Sequence, residues 1–224
     1  MIKNISNLGD AALYCDFGIE VNKNINSDVI KYFKVIKESD IKGITNLTPS
    51  YNKLIISYDL RITNFTEIKD KIENLNISET QKSNSKKLEI PVCCDISFSM
   101  DIKRLEKKLN LNKEKILENF FNKEYFCYMN GFIAGMPFLG DLDENMRAQR
   151  LETPRVKVPK GSVGLTEQFA NIYTFESPGG WNIIGNTPLD VFDSSKENDP
   201  NLINPGDIVT FKQITLEKYN NYNE

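Results

Sequence analysis

The residues best suited to chemistry gather between positions 131 and 188. There, Thr153-Pro154-Arg155 and Pro159-Lys160-Gly161-Ser162 place cations beside prolines, which hold the backbone extended or turned. Arg147 and Arg150 lie close by in sequence. Arginine binds carboxylates and phosphates with paired hydrogen bonds, so this stretch could hold an anionic small molecule or an acidic partner surface. Ordinary solvated ion pairs are the alternative.

A second motif, Ser177-Pro178-Gly179-Gly180-Trp181, contains the only tryptophan of the chain. Adjacent glycines cost folding entropy, so they indicate a tight turn or a close approach of the backbone to another group. The amides of such a turn could bind an anion or stabilise an oxyanion. Trp181 could serve as core packing, as an interface anchor or as the wall of a pocket.

The segment 131–140 (GFIAGMPFLG) is apolar and broken by glycine, which favours a buried loop lining a pocket or a partner interface. The nearest carboxylates that could act as general acid or base are Glu152, Glu167 and Glu176. Solvated surface glutamates are the alternative for each of them. The sequence therefore names no catalytic residue.

The chain has no histidine, which excludes Ser-His-Asp and Cys-His catalysis and histidine metal sites. Its cysteines show no metal-ligand or disulfide spacing, which favours reduced thiols: Cys15, Cys93, Cys94 and Cys127. No P-loop pattern is present. We therefore expect no metal site and no cofactor bound by this chain alone.

Composition narrows the class of protein. The 224 residues suffice for one large domain or two small ones, and the net charge of -3 argues against nucleic acid or an anionic membrane as partner. No apolar run approaches the roughly 20 residues of a membrane span, and the N-terminus lacks the apolar core of a signal peptide. We expect a cytoplasmic protein.

The elements that position these motifs fall into two parts. In the first, the pattern predicts strand, helix, strand, strand, helix, which is typical of a ferredoxin-like split βαβ unit. The predicted strands are 11–17, 42–48 and 53–59, with helices capped by Ser27 and Asn64. A strand near 88–92 would complete this sheet or open the next domain. The polar segment 76–87 reads as a linker or as a surface loop.

The second part begins with two short helices, one around Leu105 and one capped by Asn112. Short strands separated by glycine and proline follow, which is typical of a sandwich or barrel. The predicted strands are 125–129, 156–158, 163–165, 172–175, 181–185, 189–192 and 207–211. The fold class is thus α+β, with an α/β domain over 1–85 and a β-barrel domain over 86–224.

The motifs resemble those of one family, the 5-oxoprolinase B subunit, also called allophanate hydrolase subunit 1, whose members include an inhibitor of a sporulation histidine kinase. The resemblance covers nearly the whole chain in order. It is carried by Gly9-Asp10-Ala11-Ala12-Leu13, Pro49-Ser50-Tyr51 with Tyr58-Asp59, Ile90-Pro91-Val92, the block 131–188 and Pro205-Gly206-Asp207.

The resemblance implies a cyclophilin-like β-barrel after the small α/β domain. It implies ATP-dependent opening of 5-oxoproline to glutamate together with the family's A and C subunits, the latter similar to allophanate hydrolase subunit 2, with ATP used by the complex. Related fused proteins act as carboxyltransferases, with the site between the two halves. The family's signature positions, our candidates for binding substrate or partner, are Gly131, Phe132, Gly135, Arg150, Arg155, Pro159, Gly161, Ser162, Ser177, Pro178, Gly179, Gly180 and Trp181.

Three functions remain open from the sequence. The chain could support 5-oxoproline-dependent ATP hydrolysis as one member of an enzyme complex. It could instead bind a histidine kinase and block its autophosphorylation. It could also be a stand-alone domain that binds a small molecule through the arginines and the Ser177–Trp181 turn.

Overall fold

The computed structural model describes residues 1–77, 85–197 and 199–222. The chain divides into two compact units, Met1–Asn84 and Ser85–Glu224. The predicted linker over 76–87 falls largely on residues 78–84, which lie outside the described residues. Lys87 already begins a strand of the second unit.

The described residues of the first unit form a four-stranded antiparallel sheet with two helices. The strands lie in the order β1-β2-β4-β3, where β1 is Asn4–Asn7, β2 Ala12–Asp16, β3 Ile44–Pro49 and β4 Lys53–Tyr58. Helix α1 (Lys23–Glu38) connects β2 to β3, and α2 (Phe65–Glu73) follows β4. Because β4 lies between β2 and β3, the unit contains a split βαβ arrangement.

The strand predicted near 88–92 does not complete this sheet. That edge is occupied by β1, which pairs with β2 in register from Asn4 opposite Asp16 to Asn7 opposite Leu13. A hairpin between neighbouring segments closes a shorter loop than a pairing with a strand some 75 residues away, and so costs less entropy. The segment predicted to complete the sheet instead forms β5 of the second unit.

The predicted cap of α1 is wrong, and that of α2 is confirmed. Helix α1 begins at Lys23 because the Asn22 side chain accepts a hydrogen bond from the amide of Ile25, so Ser27 lies inside the helix. Asn64 accepts a hydrogen bond from the Glu67 amide and caps α2 as predicted. Both asparagines satisfy amides that a helix leaves unpaired at its start.

The second unit is a closed β-barrel, which confirms the predicted barrel and the α+β class. Its strands follow the order β10-β7-β6-β13-β5-β12-β9, with β5 parallel to β13 and the other pairs antiparallel. Closure leaves no unpaired sheet edge within these strands. The barrel strands are β5 (Lys87–Cys93), β6 (Glu124–Asn130), β7 (Pro137–Gly140), β9 (Ser162–Thr166), β10 (Phe169–Ile172), β12 (Asn182–Asn186) and β13 (Ile208–Ile214).

A separate two-stranded antiparallel ribbon pairs β8 (Arg155–Val158) with β11 (Ser177–Gly179). Helices α3 (Ile102–Leu109) and α4 (Lys113–Phe121) precede β6, a single 3-10 turn covers Glu144–Met146, and α5 (Leu216–Asn220) follows β13. The Asn112 side chain caps α4 as predicted, since it accepts a hydrogen bond from the Lys115 amide. In the part of the chain that is described, no helix combines the length and apolar character needed to cross a bilayer.

The barrel core is aromatic where α4 meets the strands. Phe120 stacks on Phe211 with ring centroids 4.7 Å apart, and Tyr125 contacts both rings. The Tyr125 hydroxyl donates a 2.9 Å hydrogen bond to the carbonyl oxygen of Phe120. Burial of these rings and of the surrounding aliphatic side chains holds the two helices against the barrel.

Several strand boundaries differ from the prediction. A two-residue turn at Glu167 and Gln168 returns the chain directly after β9, so β10 covers Phe169–Ile172 and not 172–175. The segment 189–192 makes only an isolated bridge, from Phe192 to Asn201. The sequence did not predict β1, β7 or β11, because their residues read as loop or turn.

Candidate functional site

The β8–β11 ribbon brings the two sequence motifs together. Ser177 lies opposite Val158, and Gly179 lies opposite Arg155. The turn that follows is fastened to the preceding chain, because the amide of Leu151 donates a 2.7 Å hydrogen bond to the carbonyl oxygen of Gly180. The arginine-containing segment and the Ser177–Trp181 turn therefore form one surface.

Arg155 is held by a buried carboxylate, Asp101, which the sequence reasoning missed. Arg155 Nη2 donates a 2.6 Å hydrogen bond to Asp101 Oδ1, and the Asp101 side chain is 5% exposed. Asp101 Oδ2 accepts from the Ile183 amide at 2.7 Å, and the Asp101 amide donates to the Ile183 carbonyl at 3.0 Å. One carboxylate thus joins the start of α3, strand β12 and the ribbon.

Tyr173 lies beneath the ribbon and was also missed by the sequence reasoning. Its side chain is 1% exposed, and its hydroxyl lies against Gly179 so closely that a Cβ on that glycine would come within 2.2 Å of the oxygen. Gly179 is therefore required for the close approach of this tyrosine. The signal available in the sequence was a tyrosine placed four residues before the Ser177–Trp181 turn.

Buried polar atoms without a hydrogen-bond partner occur around Gly179. Within the described residues they include the Tyr173 hydroxyl, Ser177 Oγ and Arg155 Nη1. Burial raises the pKa of Tyr173, while the nearby Asn171 side chain and Trp181 amide lower it by smaller amounts. Neither neighbour meets the hydroxyl with the geometry of a hydrogen bond. Tyr173 consequently remains a neutral hydroxyl at physiological pH.

Gly161 and Ser162 lie in a tight turn that connects β8 to β9 and contacts β12. Gly161 has φ of +79°, and a Cβ there would come within 2.5 Å of both Asn186 Oδ1 and the Thr187 carbonyl oxygen. The Gly161 amide donates to the Tyr173 carbonyl at 2.7 Å, and Ser162 begins β9 opposite Asn186. This turn, which starts at the exposed Pro159, fixes the end of β10 and the ribbon relative to β12.

The loop at the end of β6 presents an aromatic ring to solvent. Phe132 has φ of +70° and is 68% exposed, while the amide of Gly131 bonds to the Met136 carbonyl to close the loop. Gly135, also at positive φ, packs on the ring of Phe192, where a Cβ would overlap it. An exposed phenylalanine in the left-handed region gains little from the fold itself, and such positions often contact a partner or ligand.

The remaining candidates divide between packing and open surface. Trp181 is half-buried and meets Phe138 edge to face at 5.5 Å, above the small cluster that contains Tyr173. Pro178 and Arg150 are exposed. Asn182, next to Trp181, accepts a hydrogen bond from Arg104, and its amide donates to the Leu165 carbonyl at 3.0 Å.

The structure does not give the three glutamates an evident catalytic setting. Glu176 pairs with Lys157 at 2.8 Å on the surface, and Glu152 and Glu167 are exposed. Among the described residues, no group of histidine, cysteine or carboxylate side chains could hold a metal ion. The cysteines are free and buried, and burial raises the pKa of Cys94 to about 12, which makes that thiol a poor nucleophile.

The chain matches the family described as "Carboxyltransferase domain, subdomain C and D" over residues 3–203, and it belongs to that family. Among curated relatives, it is 34% identical to the 5-oxoprolinase B subunit of Bacillus subtilis (strain 168), over 98% of this chain and 96% of that protein. It is also 34% identical to the 5-oxoprolinase B subunit of Haemophilus influenzae, over 76% and 79%. The family resemblance predicted from the motifs is confirmed.

Solved structures agree with the fold. The crystal structure of TTHA0988 superposes with a TM-score of 0.81 at 28% identity, covering 91% of this chain and 40% of that one. This chain thus spans less than half of that longer protein. The urea carboxylase of Kluyveromyces lactis shares the fold, with a TM-score of 0.79 at 18% identity over 96% of this chain and 22% of the enzyme.

Proposed function

We propose that this chain is the B subunit of a 5-oxoprolinase-type complex, which opens 5-oxoproline to glutamate with hydrolysis of ATP. In this proposal it acts with the A and C subunits of the complex, and those partners bind ATP. The observation that carries the proposal is the match to the Bacillus subtilis 5-oxoprolinase B subunit across 98% of this chain and 96% of the relative. A match of that extent includes both compact units of the chain.

The two faces of the ribbon support a role within an assembly. Val158, Ser177 and Gly179 are buried on its inner face, whereas Val156 and Pro178 are exposed. Burial alternates along β11, and β8 has an irregular register with both Val156 and Lys157 exposed, so the outer face of the ribbon presents the apolar side chains of Val156 and Pro178. These side chains and the exposed ring of Phe132 are apolar surface of the kind that partner proteins cover.

The experiment is reconstitution. The chain is mixed with the A and C subunits from the same cell, ATP and 5-oxoproline, and glutamate is measured over time. We expect glutamate to form only when all three proteins are present. Equal glutamate formation without this chain would contradict the proposal.

Inhibition of a histidine kinase stays a prediction from the sequence. The test uses the same protein preparation and measures the autophosphorylation rate of a sporulation-type kinase at a saturating concentration of this chain. An unchanged rate removes this alternative, whereas inhibition without any effect on glutamate formation would favour it over the role in the enzyme complex.

A further inference from the structure

Buried polar groups are normally paired, because an unpaired donor or acceptor has lost its hydrogen bonds to water without gaining others. The described residues include three such groups in one neighbourhood: the Tyr173 hydroxyl, Ser177 Oγ and Arg155 Nη1. Tyr173 is 1% exposed and Ser177 is 9% exposed, so bulk water does not satisfy them. A cluster of this kind is expected where a ligand supplies the missing partners.

Gly179 is the centre of this cluster. It lies opposite Arg155 across the ribbon, it covers the Tyr173 hydroxyl, and it is two residues from Ser177 on the same strand. Ser177 and Gly179 are buried and Pro178 between them is exposed, so Ser177 faces the buried side of the ribbon, as Gly179 does, although the register with β8 is irregular between them. The three unpaired groups thus belong to residues that meet at the β8–β11 ribbon, next to or opposite Gly179.

Charge decides what kind of molecule fits. The Arg155 guanidinium already has a counter-ion in Asp101, 2.6 Å away and buried, so the pair is neutral. A bound carboxylate would bring a second negative charge beside Asp101 into a partly desolvated place where Arg155 already has its counter-ion, which is unfavourable. A neutral group avoids that cost while still using the free donors of Arg155 Nη1.

Hydrogen-bonding capacity narrows the choice further. Arg155 Nη1 can only donate, whereas the Ser177 and Tyr173 hydroxyls can each donate and accept. An amide has a carbonyl oxygen that accepts two hydrogen bonds and an N–H that donates one. It could therefore satisfy the arginine and one hydroxyl through its oxygen and the other hydroxyl through its N–H.

We infer that Arg155, Ser177 and Tyr173 form a binding site for the neutral amide or lactam group of a small molecule, beneath the Ser177–Trp181 turn. The inference rests on the proposed function for the choice of a lactam, since 5-oxoproline contains one. It departs from the anion that the arginines suggested from the sequence, because Asp101 neutralises Arg155. The site requires glycine at position 179, since a Cβ there would meet the Tyr173 hydroxyl.

The test uses the full chain and 2-pyrrolidone, a lactam without a carboxylate, with acetate as the anionic counterpart. Binding is followed by the shift in melting temperature and by calorimetry, for wild type, Tyr173→Phe and Ser177→Ala. Tyr125→Phe is the matched control, because it removes an equally buried hydroxyl that is already paired with the Phe120 carbonyl.

We expect 2-pyrrolidone to bind wild type and Tyr125→Phe alike, with affinity falling about tenfold in Tyr173→Phe and in Ser177→Ala, the scale of one lost buried hydrogen bond. Acetate should bind more weakly than the lactam. The inference is overturned by lactam binding that is unchanged in both variants, by tighter binding of acetate, or by no lactam binding at all. It is also overturned if ordered water is the sole partner of these groups in a crystal soaked with 2-pyrrolidone.

The two proposals fail separately. If the reconstituted complex makes no glutamate but the chain binds 2-pyrrolidone through Tyr173, the lactam site stands and the proposed function falls. If the complex makes glutamate and Tyr173→Phe leaves both kcat and KM for 5-oxoproline at wild-type values, the proposed function stands and the lactam site falls.

Discussion

Two buried tyrosines of the barrel unit show the difference between a core and a site. Tyr125 lies among Phe120, Phe211 and the start of β6, and its hydroxyl bonds to a backbone carbonyl at 2.9 Å. Tyr173 is as deeply buried, but its hydroxyl lies under Gly179 without a hydrogen bond. Burial raises the pKa of both, so both remain neutral donors. The Tyr125 hydroxyl thus donates to a group of the chain itself, whereas we infer that the Tyr173 hydroxyl bonds to a ligand.

The largest effect is expected where the ribbon is joined to the barrel. Asp101→Asn removes the buried counter-ion of Arg155 and weakens the bond to the Ile183 amide, and we expect it to lower the free energy of unfolding by about 3 kcal/mol. Urea denaturation measures this value. Glu176→Gln, which breaks the exposed pair with Lys157, is the control and should cost under about 1 kcal/mol. Equal losses in the two variants would show that Asp101 is not a structural joint.

Neighbouring glycines give the next test. Gly179→Ala places a Cβ within 2.2 Å of the Tyr173 hydroxyl, whereas the nearest atom to a Cβ at Gly180 is 3.5 Å away. We expect a loss of about 2 kcal/mol for Gly179→Ala and little change for Gly180→Ala, measured as the free energy of unfolding. Adding Tyr173→Phe to Gly179→Ala should recover part of the loss, because the nearest atom is removed. No recovery in the double variant would mean that the two residues are not in contact.

A smaller effect separates the two tyrosines directly. Tyr125→Phe leaves the Phe120 carbonyl without its partner and should lower stability by about 1 kcal/mol, whereas Tyr173→Phe removes an unpaired hydroxyl and should be neutral or stabilising. Differential scanning calorimetry of the two variants beside wild type measures both. A larger loss in Tyr173→Phe than in Tyr125→Phe would mean that the Tyr173 hydroxyl has a partner in the folded chain.

The effect that is smallest at neutral pH belongs to the barrel core, and it grows as the pH becomes alkaline. Burial raises the pKa of Cys94 to about 12, whereas in the unfolded chain the thiol ionises near the ordinary value of about 8.5. The unfolded state therefore loses its proton first. The stability from the buried thiol is complete below about pH 8.5 and declines progressively as pH rises toward 12. Urea midpoints between about pH 7 and 10 should fall less steeply in Cys94→Ala than in wild type, and equal slopes would contradict this account.

The sequence predicted the parts of the fold that depend on local pattern. The apolar face of α1, with Val29 and Ile36 buried, and the cap at Asn64 are local features, and the structure confirms them. Strand β1 was missed because its pairing with β2 depends on a tight turn that the pattern did not reveal. Strand β11 was missed because Ser177-Pro178-Gly179 reads as a turn and becomes a strand only by pairing with β8.

The candidate site was only partly predictable, for a physical reason. Its glycines and Arg155 are visible as motifs, because closely spaced glycine and proline indicate special backbone conformations, and Arg155 follows a proline within that stretch. Asp101 is not visible, since its importance comes from a contact with Arg155, 54 residues along the chain. Tyr173 lies near the Ser177–Trp181 turn in sequence, but its position under Gly179 appears only once the ribbon has formed. A contact such as that between Asp101 and Arg155 depends on how the second unit folds, and a single sequence contains no local trace of it.

The most direct test of the account is a titration of the A and C subunits with this chain, following ATP hydrolysis with and without 5-oxoproline. We predict that hydrolysis dependent on 5-oxoproline rises from baseline as the chain is added and then saturates as the complex fills. The assignment of this chain to that enzyme complex would be contradicted if the rate of ATP hydrolysis stayed at baseline up to saturating concentrations of the chain, with all three proteins folded and mixed.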